Sequence, residues 1–524
     1  MIAPLQIKEI YWQDFAVGQK DIENIYNLLL EKAVPLPANE ILDYLINNRI
    51  KLELDSLQKQ KSCQGNIYLP KDDYKVGDSL AFLVLNMEKG KIKFIRDGFN
   101  PDFQDLKVIE VEFESGKSKS FASHLENHPL NQILELPEND PNLDPVLVKE
   151  NYAETLTQRL DKALILNEDL VKIAGSWFPR SLLVDVNIGH LNLAEAVLEE
   201  ANGGPISTVD LMKQVELNAN ADQKLLEFSF DLALQEDGRF DEVGPAGETL
   251  WFLKELEPQD VKDVPLYLKF SLKEYSTEGL EEFMGMFEGV LYDELEPLEA
   301  PTHLSDKASI SLSFPHWRSG TLPLSRSLKK MFPSAYEAPR VKFTFYDPQE
   351  NERFSGWVVR ANKYICGLDQ WYQKNELMPG SLVTVEKSKM PGEIIIKFEK
   401  SRQNKEWLKT VLVGSDQGFV FAMLKHPITA SFNERMAIAI PDLDALDEIW
   451  KNRVYEKESI DKTIIRVMRE LAKLNPQRQV HAQELYAAVN IVRRCPPSLV
   501  LFHLLKSDQV AHLGDLYFRI NDKE

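Results

Sequence analysis

A chain of 524 residues, 44% of them hydrophobic, is too long for a single hydrophobic core and is expected to hold about three to five domains. Its net charge of −21 argues against nucleic-acid binding over the whole surface. The acids concentrate before Arg318, however, and the remainder carries a small excess of cations, so any phosphate contact belongs to the C-terminal half.

No apolar run is long enough for a membrane span, and the opening residues MIAPLQIKEIYWQDF lack the apolar stretch of a secretion signal. Cys63, Cys366 and Cys495 are scattered and odd in number, which argues against a disulfide framework or a zinc cluster. A reducing, cytoplasmic setting without cofactor or metal is the expectation.

In chain order, residues 1–70 read as a winged-helix-like unit. Ile22, Ile25, Tyr26, Leu29 and Leu30 share one helical face, Pro35 and Pro37 interrupt it, and Ile41, Leu42, Leu45 and Ile46 resume the period. A third helix is expected over 50–61 and a strand over 66–69. Residues 71–133 change to β character, with strands over 80–84, 92–95 and 108–113 and a turn at Ser115-Gly116-Lys117. This pattern predicts a small β-barrel. Lys71, Lys75, Lys89, Lys91, Lys93 and Arg96 give it a basic patch, read as a solvated face because acids stand nearby. The acidic, proline-rich residues 134–150 read as a linker.

Residues 151–260 predict helices followed by a second winged-helix order. Leu191, Ala194, Val197 and Leu198 form a helix face, Gly203-Gly204-Pro205 ends it, and Ser207 or Thr208 can cap the next helix. Leu225, Phe228 and Leu232 point inward from a third helix, and two strands over 239–243 and 249–253 follow. The phrase DGRFDEVG and then TLWFL is similar to the helix-turn-helix domain that accompanies the acidic delta subunit of bacterial RNA polymerase and several restriction systems. Asp222, Glu227, Asp231 and Glu236 on the third helix would repel phosphates, so this copy is read as a protein-docking or spacer module.

Residues 265–317 form an α+β connector, 401–456 a second one, and 457–524 a C-terminal winged helix with Ile464, Ile465, Val467, Met468 and Leu471 buried. Residues 318–400 are the most legible. Val341, Phe343 and Phe345 alternate, and Trp357-Val358-Val359, 382–385 and 394–396 read as further strands. Asp347-Pro348 and Pro379-Gly380 supply turns, and a short helix over 369–377 can turn Trp371, Tyr372 and Leu377 inward to plug a barrel end.

Leu322-Pro323-Leu324, then GLDQWYQKNELMPGSLVTV and an Ile-rich strand, resemble the DNA-binding pseudobarrel of plant auxin-response-type transcription factors and of restriction-enzyme effector domains. Here Gly367-Leu368 stands where that family has Gly-Trp, and Ser381 replaces its Asp. The resemblance implies hairpin arms that grip a major groove, with Arg360 and Lys363 on one arm and Arg318 near the other. Arg326, Lys329, Lys330 and Arg353 complete the expected phosphate-binding set on this segment, and Arg478, Arg493 and Arg494 flank the recognition helix of the last winged helix.

Catalytic signatures are weak. His124 and His128 lie four apart but without a zincin glutamate, no phosphate loop or nucleophile elbow occurs, and Asp347 with Glu393 and Lys397 only faintly follows restriction-nuclease spacing. The expectation is therefore an α+β multidomain protein in which winged-helix domains alternate with small β-barrels. Its expected function is non-enzymatic and DNA-binding or transcription-associated, with double-stranded DNA met by the C-terminal half. An acidic interaction scaffold in a defence or transcription complex, binding a protein partner through the N-terminal half, is the alternative; a restriction-type nuclease or its specificity subunit is a weaker one.

Overall fold

The computed structural model describes residues 11–62, 67–82, 85, 88–100, 103, 105–113, 116–131, 140–217, 221–271, 275–298, 306–335 and 338–521. The chain divides into two compact units, residues 1–184 with 221–228, and residues 185–220 with 229–524. Both mix helices with several sheets.

The first unit begins with α1 (Gln19–Lys32), β1 (Leu36–Pro37) and α2 (Ala38–Ser62). Asp21 accepts the Gly18 amide at 2.8 Å and starts α1, whose Ile22, Ile25 and Leu29 are buried. Strands β2 (Ser79–Phe82), β3 (Glu88–Asp97), β4 (Lys107–Phe113) and β5 (Ser118–Ser123) then pair in the order β2-β3-β4-β5, an antiparallel meander where a small barrel was expected. Leu80, Phe82, Ile92, Ile109, Val111 and Phe113 fill its inner face.

Helix α3 (Pro145–Ile165), β6 (Leu170–Ile173) and β7 (Ser176–Pro179) complete the unit in a sheet ordered β1-β7-β6. The meander is thus interposed between the second and third helices of one module. That corrects the expectation of a winged-helix-like unit closed within residues 1–70: Ile67 makes only an isolated bridge to Ala81, and the hairpin that pairs with β1 is β6-β7. Nor is all of 134–150 a linker. Asp144 caps α3 by accepting the Val146 amide at 2.9 Å, and Pro145 occupies the first helical position; residues 132–139 lie outside the described ones.

The second unit opens with α4 (Ile188–Glu200), β8 (Ile206–Ser207), α5 (Thr208–Val215), residues 229–236 of α6 (Gln223–Glu236), β9 (Phe240–Glu242) and β10 (Leu250–Leu253). Asp231 is not a surface charge as expected. It is buried, accepting Thr208 Oγ1 at 2.5 Å and the Trp251 indole at 2.8 Å.

After the short helices α7 (Gln259–Lys262) and α8 (Glu281–Gly285) comes a curled seven-stranded sheet. It is built from β11 (Lys307–Ser311), α9 (Phe314–Arg318), β12 (Thr321–Pro323), β13 (Arg340–Asp347), β14 (Glu352–Val359), β15 (Tyr364–Cys366), α10 (Asp369–Lys374), β16 (Leu382–Lys387) and β17 (Glu393–Phe398). The strand order is β11-β16-β17-β13-β14-β15-β12. Val341, Phe343 and Phe345 alternate into its core, joined by Trp371 and Tyr372 of α10 and by Leu377. Gly367 is required where the chain enters α10: its φ is +108°, and a Cβ there would sit 2.5 Å from the Ser355 carbonyl oxygen.

The chain continues as β18 (Lys400–Val413), β19 (Phe419–Ala430) and β20 (Ile438–Ala439), ordered β19-β18-β20, and then α11 (Leu443–Lys451). It ends with α12 (Ile460–Ala472), β21 (Gln479–His481), α13 (Ala482–Val492), α14 (Pro497–Lys506), β22 (Val510–Gly514) and β23 (Tyr517–Ile520). The order helix, short strand, two helices, hairpin occurs three times along the chain. Each time the strands align first, third, second, as β1-β7-β6, β8-β10-β9 and β21-β23-β22.

Candidate functional site

Five of the expected cations gather at one end of the curled sheet. The pairing of β12 with β15 brings the Leu324 amide to the Lys363 carbonyl at 2.8 Å, which sets residues 324–330 beside the 360–363 turn. Arg326, Lys329, Lys330 and Lys363 are exposed there. Arg360 is half-buried, its guanidinium donating to the Ala335 carbonyl at 2.7 Å.

Arg318, Arg353, Arg493 and Arg494 are held by named partners within the chain. Arg318 grips the Asp447 carboxylate through Nε and Nη2 at 3.2 and 2.7 Å, and the Tyr267 hydroxyl donates to the same carboxylate at 2.6 Å. The Arg318 hydrogen bond to Asp447 holds the guanidinium pKa above its ordinary value. Phe314, on the same short helix α9, is buried with Trp450, Tyr486 and Val489 in the C-terminal core. The segment expected near a DNA-gripping arm is therefore an internal joint.

Arg353 donates to Glu393 at 2.9 Å and lies over the Tyr346 ring at 4.3 Å. Arg493 donates to the Tyr455 and Glu458 carbonyls, both at 2.8 Å, and burial pulls its pKa down. Arg478 is exposed beside β21.

Arg494 departs furthest from the expectation. It is 2% exposed and enclosed, with Nη1 and Nη2 bonded to Asp293 at 2.9 and 2.6 Å and Nη2 to Glu294 at 2.8 Å. The other Glu294 oxygen meets His316 at 2.8 Å, and the Tyr486 hydroxyl donates to Asp293 at 2.6 Å. Burial alone would raise the Glu294 carboxyl, but the Arg494 and His316 charges outweigh it and hold it well below the usual carboxylate range. Each ion taken from water costs several kcal/mol unless partners close around it; here they meet both Nη groups of Arg494, while its buried Nε is left without a partner among the described residues. Within the 265–317 connector, Glu294 thus sits in this network and Glu296 is a buried cap accepting the Ser498 amide of α14 at 2.9 Å.

The outer face of β13, β14 and β15 is also covered. Val243, Phe252, Val261 and Leu268 pack on Trp357, Val359, Tyr364 and Cys366. Arg340 bridges Asp241 at 3.0 Å and Glu257 at 2.8 Å, while Lys342 lies over the Phe252 ring at 4.5 Å. Burial, together with the neighbouring Asp241, pushes the Glu257 carboxyl up to about 8 despite Arg340.

The restriction-nuclease spacing resolves into support. Asp347 is buried and accepts the Trp371 indole at 2.8 Å, holding α10 in the sheet, and Glu393 is held by Arg353 and Ser388. His124 lies 3.2 Å from Asp73, and the His128 ring accepts the Leu130 amide. Among the described residues no group of three or more His, Cys, Asp or Glu is placed to hold a metal ion, and no helix is long and apolar enough to cross a membrane.

Residues 401–456 were expected as an α+β connector without an assigned role, and the structure makes its strands a long two-stranded ribbon. Trp407 is 60% exposed on β18, with Lys425 of β19 over its ring at 5.2 Å. Strand β19 is an edge, and its Val420, Met423 and Leu424 are exposed beside buried Phe419 and Phe421. No family model, curated protein or solved structure matches this chain.

Proposed function

We propose that the chain is a non-enzymatic interaction scaffold. Winged-helix-type modules alternate with a meander, a pseudobarrel-like curled sheet and a ribbon, and buried acids lock the modules of the second unit. The threefold recurrence of one strand order supports the module reading. The observation that carries the scaffold reading is the β19 edge, twelve residues long, with Val420, Met423 and Leu424 exposed on it. An open apolar edge accepts an extended strand from a partner protein by main-chain hydrogen bonding.

The test is selection of displayed random peptides by the intact chain. Extended peptides with alternating apolar residues are expected, and Val420→Lys with Leu424→Lys should weaken them about ten-fold or more while the circular dichroism stays unchanged. Selection of nothing, or equal binding by the double variant, overturns the reading.

DNA binding by the C-terminal half is the second reading, favoured by Arg326, Lys329, Lys330 and Lys363 standing exposed at one end of the curled sheet. It requires a duplex affinity for the intact chain that falls steeply with salt and is lost on Lys329→Gln, Lys330→Gln and Lys363→Gln together.

A further inference from the structure

The meander of the first unit presents a second charged surface, unlike the one at the end of the curled sheet. Strand β3 faces β4 with one residue too many: Ile92 stands opposite Val111 and Phe94 opposite Glu110, so Lys93 is extra. In a regular strand Phe94 would follow Ile92 inward by alternation after Lys93. The bulge instead turns Lys93 and Phe94 outward in succession, and Ile95 returns toward the core opposite Ile109. Such a bulge re-aims a side chain at the cost of a ladder bond.

Phe94 is 56% exposed and Phe99, just beyond the strand, 88% exposed. Lys89, Lys91 and Arg96 are exposed on the same strand, with Arg96 placed 5.3 Å from the Phe99 ring centroid. Glu112 pairs with Lys93 at 2.6 Å, and Glu110 lies opposite Phe94, so three cations and two rings face outward beyond that pair. The flanking positions are small: Ser79 is opposite Lys91, Ser118 opposite Glu112 and Ser120 opposite Glu110. The rings therefore stand among short side chains, which leave room beside them for a planar group.

We propose that this outward face of the β2-β3-β4-β5 sheet binds single-stranded nucleic acid, with bases stacked on Phe94 and Phe99 and phosphates met by Lys89, Lys91 and Arg96. Stacking accepts any base, and the spaced cations follow a backbone; a duplex keeps its bases paired and offers the rings nothing. The site goes beyond the scaffold reading and shares no residue with it.

Anisotropy of labelled oligo(dT) and oligo(rU) with the intact chain tests it. Both are expected to bind, with Phe94→Ala weakening them about ten-fold. Lys91→Gln and Arg96→Gln should each lower the slope of log affinity against log salt by about 0.7. All three positions are on the surface, so unchanged circular dichroism keeps the comparison sound. Binding of one oligomer alone supports the site with a preference set by the sugar or by the thymine methyl, which oligo(dU) then separates. No binding at low salt, binding indifferent to Phe94→Ala, or a duplex competing as well as the single strand overturns it. Neither result bears on the β19 variants, which report on the scaffold separately.

Discussion

Arg494 and Lys329 were equally plausible phosphate ligands by residue type and neighbourhood, yet they have opposite fates. Arg494 closes a buried network with Asp293, Glu294, Tyr486 and, through Glu294, His316, whereas Lys329 and Lys330 stand exposed at the end of the curled sheet. The difference lies in partners some 200 positions away along the chain. A cation's availability is thus a property of the fold, and a local excess of Lys and Arg measures supply alone.

The sharpest way to break this comparison is Arg494→Met. It strands two buried carboxylates and is expected to cost about 3–5 kcal/mol, read as a lower urea midpoint. Arg318→Ala removes a two-point contact to the half-shielded Asp447 and should cost about 2 kcal/mol in the same assay.

The Arg340 junction sharpens the comparison through pH. The folded Glu257 carboxyl holds its proton more tightly than the unfolded one, so its stabilisation is complete below about 4.5 and is lost as pH rises toward about 8. Glu257→Gln should flatten that fall by about 1–2 kcal/mol, checked by urea midpoints at pH of about 5 and about 8 for both proteins. Lys329→Ala and Lys330→Ala, at the other extreme, should shift stability by no more than about 0.5 kcal/mol in thermal melts.

Local periodicity made much of the fold legible. Val341, Phe343 and Phe345 enter the core, α10 turns Trp371 and Tyr372 inward, and the helix faces of Ile22, Ile25 and Leu29 and of Ile464, Val467, Met468 and Leu471 are buried as their spacing predicts, while Leu30 is exposed and Ile465 half-buried. Pairing between distant segments was not legible. Strand β1 finds β7 across the whole meander, and Asp293, Glu294 and Glu296 of the 265–317 connector find Arg494 and Ser498 near the far end of the chain. The charged end of the curled sheet was anticipated at Lys329, Lys330 and Lys363. Arg318 was lost to it, and Arg493 and Arg494 to the surface of the last module, because burial of a charge depends on its long-range partners and not on its sequence neighbours.

The meander interposed in the first module has a consequence for how the chain matures. As the polypeptide emerges in order, α1, β1 and α2 are made long before the hairpin that pairs with β1, and the meander forms its own local pairs first. Trp177 then arrives opposite Leu36 to seal a surface that has waited, apolar and incomplete, for more than a hundred residues of synthesis. A chain that stops before β7 leaves Leu36 and Pro37 of β1 without their partner strand.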